Sequence, residues 1–345
     1  MAYTTIKKST SYFNTVLYTG NASTRSITGV GFQPDMVWTK SRGNSNNHNI
    51  YDAVRGATKR VYPNSTSQEA TTSNTLTSFD SDGFSLGDQD NVNANGITMA
   101  SWSWKVNGAG SANTAGTINS TVSANTTAGI SIVTYTGNGT SGATVGHGLS
   151  TAPRIVLIKK RSASDNWSML NVDFDLNKYL RLDADSALIS DALFNNTAPD
   201  ATKFTLDSDG QVNGNGNTFV AYCFHNVPGF SHMGRYYGNG NAFGTFVYTG
   251  FKPAWIMTKR TDTADWWGIF DTKREGYNAD PSLHSNEPLF ANTSDAEGGP
   301  LAIDILSNGF RFQTTNNGVN GSGGSYMYLA FAAEPLVGDN PATAR

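Results

Sequence analysis

The chain has 345 residues, of which only 15% are charged, with a net charge of −3, 36 glycines and one cysteine. This neutral, turn-rich composition has no basic block, which argues against a nucleic-acid footprint. It has no run of 18 apolar residues to enter a bilayer, and the lone Cys223 excludes an intramolecular disulfide or a zinc ribbon.

The start, "MAYTTIKKSTSYF", carries Lys7 and Lys8 but no apolar segment of a signal peptide. Five markers then follow in order. Tyr18-Thr19-Gly20-Asn21 comes first, then "GFQPDMVWTKSR" at 31–42, then "HNIYD" ending at Asp52. "FDSDGFSL" at 79–86 and "VNANGITMASW" at 92–102 complete the set. A small, polar stretch at 106–128 reads as a flexible linker or an extended strap.

The markers then return. Tyr135-Thr136-Gly137-Asn138, "LSTAPRIVLIKKR", "WSMLN" ending at Asn171, "LDSDGQV" at 206–212 and "VNGNGNTFVAY" form the second set. After a short join, "HNVPGFSHM", come Tyr236-Tyr237-Gly238-Asn239, "GFKPAWIMTKR", "WGIFD" ending at Asp271, "LSNGFRF" and "VNGSGGSYMYLAF". Pro34 to Asn93 spans 59 residues, Pro153 to Asn213 spans 60 and Pro253 to Asn320 spans 67. Ordered markers at constant spacing are the signature of an internal repeat.

Within a repeat, the run after the proline is short, β-branched and aromatic, which predicts a buried strand. The Asp-Gly and Asn-Gly pairs predict tight hairpins, including one before the last strand. Trp102 and Trp104, like Tyr222 and Phe224, are two apart and share a face, expected to pack on a second sheet. "SDALF" near 190 is the best local helix. The expected fold is all-β: three tandem homologous antiparallel β-sandwiches, jelly-roll-like. The expected domains are repeat one at 1–105, a linker at 106–128, repeat two at 129–225 and repeat three at 226–345.

The start "MAYTTI", the segments "GFQPDMVW", "YDAVRGATK" and "LTSFDSDGFSLG", and the ending "PLVGDNPATAR" resemble a family of marine bacteriophage proteins of the cyanophage type, over essentially the whole chain. The resemblance implies a virion structural protein, tail fibre or tail-associated, and supplies no catalytic residues. The expected partners are other virion proteins, a host-surface polysaccharide and further copies of the chain in a homo-oligomer, with a trimer favoured. The expected location is the virion, with no nucleic-acid partner and no membrane insertion. A capsid decoration or tail-assembly role without adhesion is the alternative.

No enzyme is expected. The five glutamates, Glu69, Glu275, Glu287, Glu297 and Glu334, do not recur between repeats, and no hydrolase or nucleotide-binding motif stands out. Asp80, Asp82, Asp88 and Asp90 have calcium-like spacing, but no glutamate closes the loop and the turn reading is preferred, so no cofactor or metal is expected. The column Asp52, Asn171, Asp271 reads as an internal partner for the basic strand ends: Lys40 or Arg42, Arg161, and Lys259 or Arg260. Trp38 and Trp255 are expected in the core. Trp167, Trp266 and Trp267 stand in polar loops, where an indole face could stack on a sugar, with Asp165, Asn166 and Asp265 beside them as hydroxyl partners. Repeat one has His48 and asparagines there instead, so it is expected to attach to the virion.

Overall fold

The computed structural model describes residues 4–274, 287–299 and 301–335. Each repeat forms one large antiparallel sheet with a common strand order. In repeat one the order is Phe13–Thr19, Thr98–Trp104, Met36–Ser41, Asn49–Asp52. Repeat two gives Ile130–Thr136, Thr218–Phe224, Ile155–Lys160, Ser168–Asn171. Repeat three gives Ser231–Tyr237, Ser325–Pro335, Phe251–Arg260, Trp267–Asp271, with Leu289–Phe290 added at the edge. A smaller sheet covers one face of each. Its outer strand is Arg25–Ile27, Ala143–Gly146 or Phe246–Tyr248, paired with Gly83–Leu86, Lys203–Leu206 or Gly309–Phe312. The all-β, antiparallel architecture is as expected from the sequence.

The other face of each large sheet does not look outward. Period-two alternation sends Met99 toward the small sheet and Trp102 and Trp104 the opposite way. The inward set from all three repeats forms a single core that includes Trp38, Trp102, Leu157, Tyr222, Trp255 and Phe331. Rings meet across repeats: Phe13 stacks on Phe331 at 5.2 Å, Phe224 meets Phe331 at 6.1 Å, and Trp102 meets Trp255 at 6.3 Å. Sheets covered on both faces need apolar residues at both parities, hence the near-continuous apolar runs. The expectation of separate sandwiches whose aromatic strands pack only on their own second sheet is thereby corrected. A cavity of about 20 Å³ remains at the centre, with room for one water and an apolar lining.

The seams between repeats repeat in a closed ring. The Glu69 N–H donates to the Arg161 carbonyl, that of Leu188 to Thr261, and that of Glu297 to Arg42. These bonds run from repeat one to two, two to three and three back to one. A second ring uses the position held by His48, Trp167 and Trp267. The Trp167 indole N–H donates to the Tyr62 carbonyl at 2.8 Å and that of Trp267 to the Arg181 carbonyl at 2.9 Å. His48 meets the Phe290 carbonyl at 3.0 Å through Nε2. Its Nδ1 accepts from the Trp38 indole, so the proton sits on Nε2, and burial holds this imidazole neutral by pushing its pKa well down.

The column Asp52, Asn171, Asp271 is internal, but its partners differ from those expected. Asp52 pairs with Arg55 at 2.5 Å and Asp271 with Arg274 at 2.6 Å, each three residues on and almost wholly buried. Each carboxylate also reaches the next repeat. Asp52 accepts from the Tyr222 hydroxyl at 2.7 Å, and Asp271 from the Trp102 indole at 3.0 Å. Repeat two has Asn171 and Phe174 at these places, and Asn171 faces Met327 of repeat three. In the register of the last strands, Leu329 replaces Trp102 and Tyr222. Charge and polar partner are therefore kept or lost together at each seam.

The Tyr-x-Gly-Asn and Asn-Gly markers explain each other. The Tyr18, Tyr135 and Tyr236 hydroxyls donate to the carbonyls of Val92, Val212 and Val319. The buried Asn93, Asn213 and Asn320 side chains accept from the N–H of Asn21, Asn138 and Asn239. Gly20, Gly137 and Gly238 pass so close that a Cβ there would lie 2.1, 2.6 and 2.2 Å from a carbonyl oxygen. The phrase is not the expected hairpin between two strands. Its first residues close a one-turn helix, Asp90–Asn93, Gly210–Asn213 or Asn317–Asn320, capped by the Gln89, Asp209 or Asn316 side chain, and the expected tight turn follows it, with Gly96, Gly216 and Gly323 at positive φ before the last strand.

Three further expectations are corrected. "LDSDGQV" is not the counterpart of "FDSDGFSL": Asp209 caps the helix of repeat two, whereas Asp82 in its hairpin accepts from the N–H groups of Gly29 and Gly31. The 106–128 stretch is not a free linker. Asp35 holds the Val106 and Gly108 N–H groups, and strands Ser111–Asn113 and Ser120–Asn125 extend the sheet of repeat two. "SDALF" contributes the short strand Ile189–Ser190, not a helix. Along the join after repeat two, Phe230 is buried in the common core.

Lys40, Lys159 and Lys259 occupy one position in the three repeats and are fully buried. Their ammonium groups donate to backbone carbonyls, among them Asn44 for Lys40, Thr66 for Lys159 and Asp185 for Lys259. Burial pushes all three pKa values down to about 8. Between pH 8 and about 10, the unfolded chain holds protons that the folded one has shed, so stability rises with pH by up to ~1.4 kcal/mol per unit per lysine. Cys223 and the buried Tyr135, Tyr222 and Tyr236 act oppositely, since burial raises their pKa values and the unfolded chain loses those protons first. The urea midpoint should therefore be higher at pH 9 than at pH 7.5 and fall again above about pH 10. A midpoint that drops from 7.5 to 9 would contradict the burial of these lysines.

Candidate functional site

Only one of the three loop tryptophans reaches solvent. Trp167 and Trp267 are wholly buried as seam locks and cannot meet a ligand. Trp266, one residue before Trp267, faces the other way and is 50% exposed. Its ring leans on Phe290 at 5.3 Å. His48 of repeat one is also fully buried.

The loop before Trp266 is held at several points. Arg260 forks onto Asp262 at 2.9 and 3.2 Å and donates to the Asn317 carbonyl. The Arg260 guanidinium, hydrogen-bonded to Asp262, holds that carboxyl below its usual range. The Asp265 N–H donates to the Asp185 carbonyl of repeat two at 2.8 Å, and the Trp266 N–H to Asp265 Oδ1 at 2.9 Å. A groove of about 540 Å³ results, lined by Asp185, Asp265, Trp266, Thr315, Asn316 and Asn317 with Ala264 and Gly318. One wall is the first turn of the helix Asn317–Asn320, where Asn316 Oδ1 accepts from the Gly318 N–H at 2.7 Å. A Cβ on Gly318 would lie 2.9 Å from Asp265 Oδ1, so glycine keeps the groove open.

Of the residues expected from sequence, Asp265 and Trp266 are thus brought together. Asp165 and Asn166 occupy the same places in repeat two, but Asp165 is paired with Lys160 at 2.5 Å and no tryptophan stands beside it. Neither lines the groove. Sequence reasoning missed Asp185, Asn316 and Asn317. The only signal for Asp185 was its place in repeat two, at the position where Thr66 of repeat one accepts the Asp165 N–H.

Among the described residues, no group of three His, Cys, Asp or Glu side chains could hold a metal ion, and no helix is long and apolar enough to cross a membrane. Asp80 accepts from the Ser78 and Ser85 hydroxyls, and Asp88 accepts from the Asn74 amide.

Among the described residues, fold and groove together define an all-β chain with three cyclically interlocked repeats and an aromatic surface groove. By sequence, residues 8–335 match the family described as a domain of unknown function, DUF7483, and the chain belongs to that family. Comparison with curated proteins and with solved structures finds no match.

Proposed function

We propose that this chain is a non-enzymatic structural protein of a bacteriophage virion, tail-associated, that contacts host-surface glycans through the Trp266 groove. The carrying observation is a half-exposed indole set between Asp185, Asp265, Asn316 and Asn317. A pyranose offers C–H patches ringed by hydroxyls, which suit an aromatic face flanked by carboxylates and amides. The resemblance of the sequence to marine phage proteins supports the virion setting.

Trp266→Ala should lower adsorption to host cells and retention on host polysaccharide by about tenfold, the scale of one aromatic contact, and Trp266→Phe by less. Because half of the ring lies in solvent and its main ring contact is Phe290, far-UV circular dichroism should not move and thermal stability should fall only slightly. Wild-type adsorption by Trp266→Ala would remove the groove from the adhesion reading. The alternative, a head-decoration or tail-assembly role without adhesion, draws support from a second aromatic patch on repeat three, where Tyr237, Phe243, Phe246 and Tyr248 are exposed. Immunogold labelling separates the two, with label at the tail tip for adhesion and uniform label on the head for decoration.

A further inference from the structure

We infer that strand Phe246–Tyr248 is an assembly edge on which a second copy of this chain pairs its own Phe246–Tyr248 strand, antiparallel. The three repeats treat this position differently. The registers Ile27 with Phe84, Val145 with Phe204 and Val247 with Phe310 make the three outer strands equivalent. Exposed sheet edges invite pairing with another chain unless they are charged, polar or covered. In repeat one the outer strand carries Arg25 and Ser26, and Ser26 bonds to Ser85. In repeat two it is covered by the chain's own segment: the Ile118 N–H donates to the Thr144 carbonyl at 2.9 Å, and Ile118 bridges Val145 in parallel.

Among the described residues, repeat three shows neither protection. Phe246 is 46% and Tyr248 56% exposed where repeat two has Thr144 and Gly146, and Phe243 at 65% and Tyr237 at 51% lie close by. The Arg311 guanidinium sits 4.9 Å over the Phe243 ring and ties it to this sheet, and the Thr245 hydroxyl donates to the Tyr237 carbonyl. Aromatic side chains bury roughly 150–250 Å² each, so four at half exposure present roughly 400 Å². That is the size of the largest patch on a typical monomer.

The occupant follows from this geometry. Repeat two shows that an extended backbone fits this edge. The run Phe-Val-Tyr is self-complementary: antiparallel pairing centred on Val247 sets Phe246 opposite the second copy's Tyr248 twice over, on one face. Val247 stays in its own core. Arg311, the cation of the neighbouring strand, is paired with Asp304 at 3.0 Å, so two copies meet without bare like charges there. Such an isologous contact closes at two copies. Two patches bury roughly 800 Å² of side chain, which places the contact among weak, concentration-dependent interfaces.

Sedimentation velocity on the intact chain from about 1 to about 100 μM tests this, the range in which so small an interface fills. Wild type should pass from monomer to dimer, while Phe246→Lys with Tyr248→Lys should sediment as monomer throughout with unchanged near-UV dichroism. Hydrogen exchange on wild type alone gives an independent reading, since the amides of 246–248 should slow as concentration rises. A wild type that stays monomeric, a double variant that still dimerises, or a dimer whose 246–248 amides exchange as in the monomer would each overturn the inference.

Discussion

Repeat two, expressed alone as residues 106–228, should fail to fold. Its large sheet turns Ile132, Leu157, Met169, Tyr222 and Phe224 into the common core, where the facing groups belong to repeats one and three. Burying a large apolar side chain stabilises by about 1.5–3 kcal/mol, so exposing five forfeits on the order of 10 kcal/mol. That equals the whole stability of an ordinary domain. The Trp167 indole would also lose the Tyr62 carbonyl, and Lys159 the Thr66 carbonyl. The fragment should bind a hydrophobic dye, lack near-UV dichroism and show no cooperative urea transition. A cooperative transition would mean that the repeats are independent units after all.

At the seam between repeats one and two, Arg55→Phe should cost about 3–5 kcal/mol, because it strands the buried Asp52 carboxylate without its cation. The molecule also contains the remedy. At the next seam the same places hold Asn171, Phe174 and Leu329, with Phe174 packed against the common core and no ion pair between them. Asp52→Asn, Arg55→Phe and Tyr222→Leu combined should recover more than half of the loss. Replacing a buried ion pair by packed apolar groups is often neutral, whereas removing one member is not. Urea denaturation of the single and triple variants measures both. If the triple variant is no more stable than the single one, the seams are not interchangeable and the pairwise explanation fails.

The repeat itself was legible because the Tyr-x-Gly-Asn and Asn-Gly markers serve the same local contact three times. The tyrosine, glycine and asparagine of one marker meet the short helix of another some 72 to 83 residues away, so neither can drift alone. The strands after Pro34, Pro153 and Pro253 were equally clear from their apolar runs. Identical letters misled where they served different bonds: "SDG" makes a hairpin in repeat one and a helix cap in repeat two. Low complexity misled at 106–128, where small residues suit close strand pairing as well as they suit a flexible tether. The candidate site was half legible. Asp265 and Trp266 stood out as polar-loop residues, but Trp266 and Trp267 look alike in sequence.

The sequence by itself determined the all-β class and the strands that follow the prolines and that close each copy, because periodicity, turn residues and marker order are local properties. The tertiary structure alone decided which way each face turned. An aromatic strand face reads the same whether it packs on its own second sheet or on two neighbouring repeats, and closing the ring of three selected the second. That choice buried Trp167 and Trp267 against carbonyls of the preceding repeat and left Trp266 in solvent. It also brought Asp185 of repeat two beside Asp265 of repeat three, a contact set by docking between repeats, which no pattern within either one encodes.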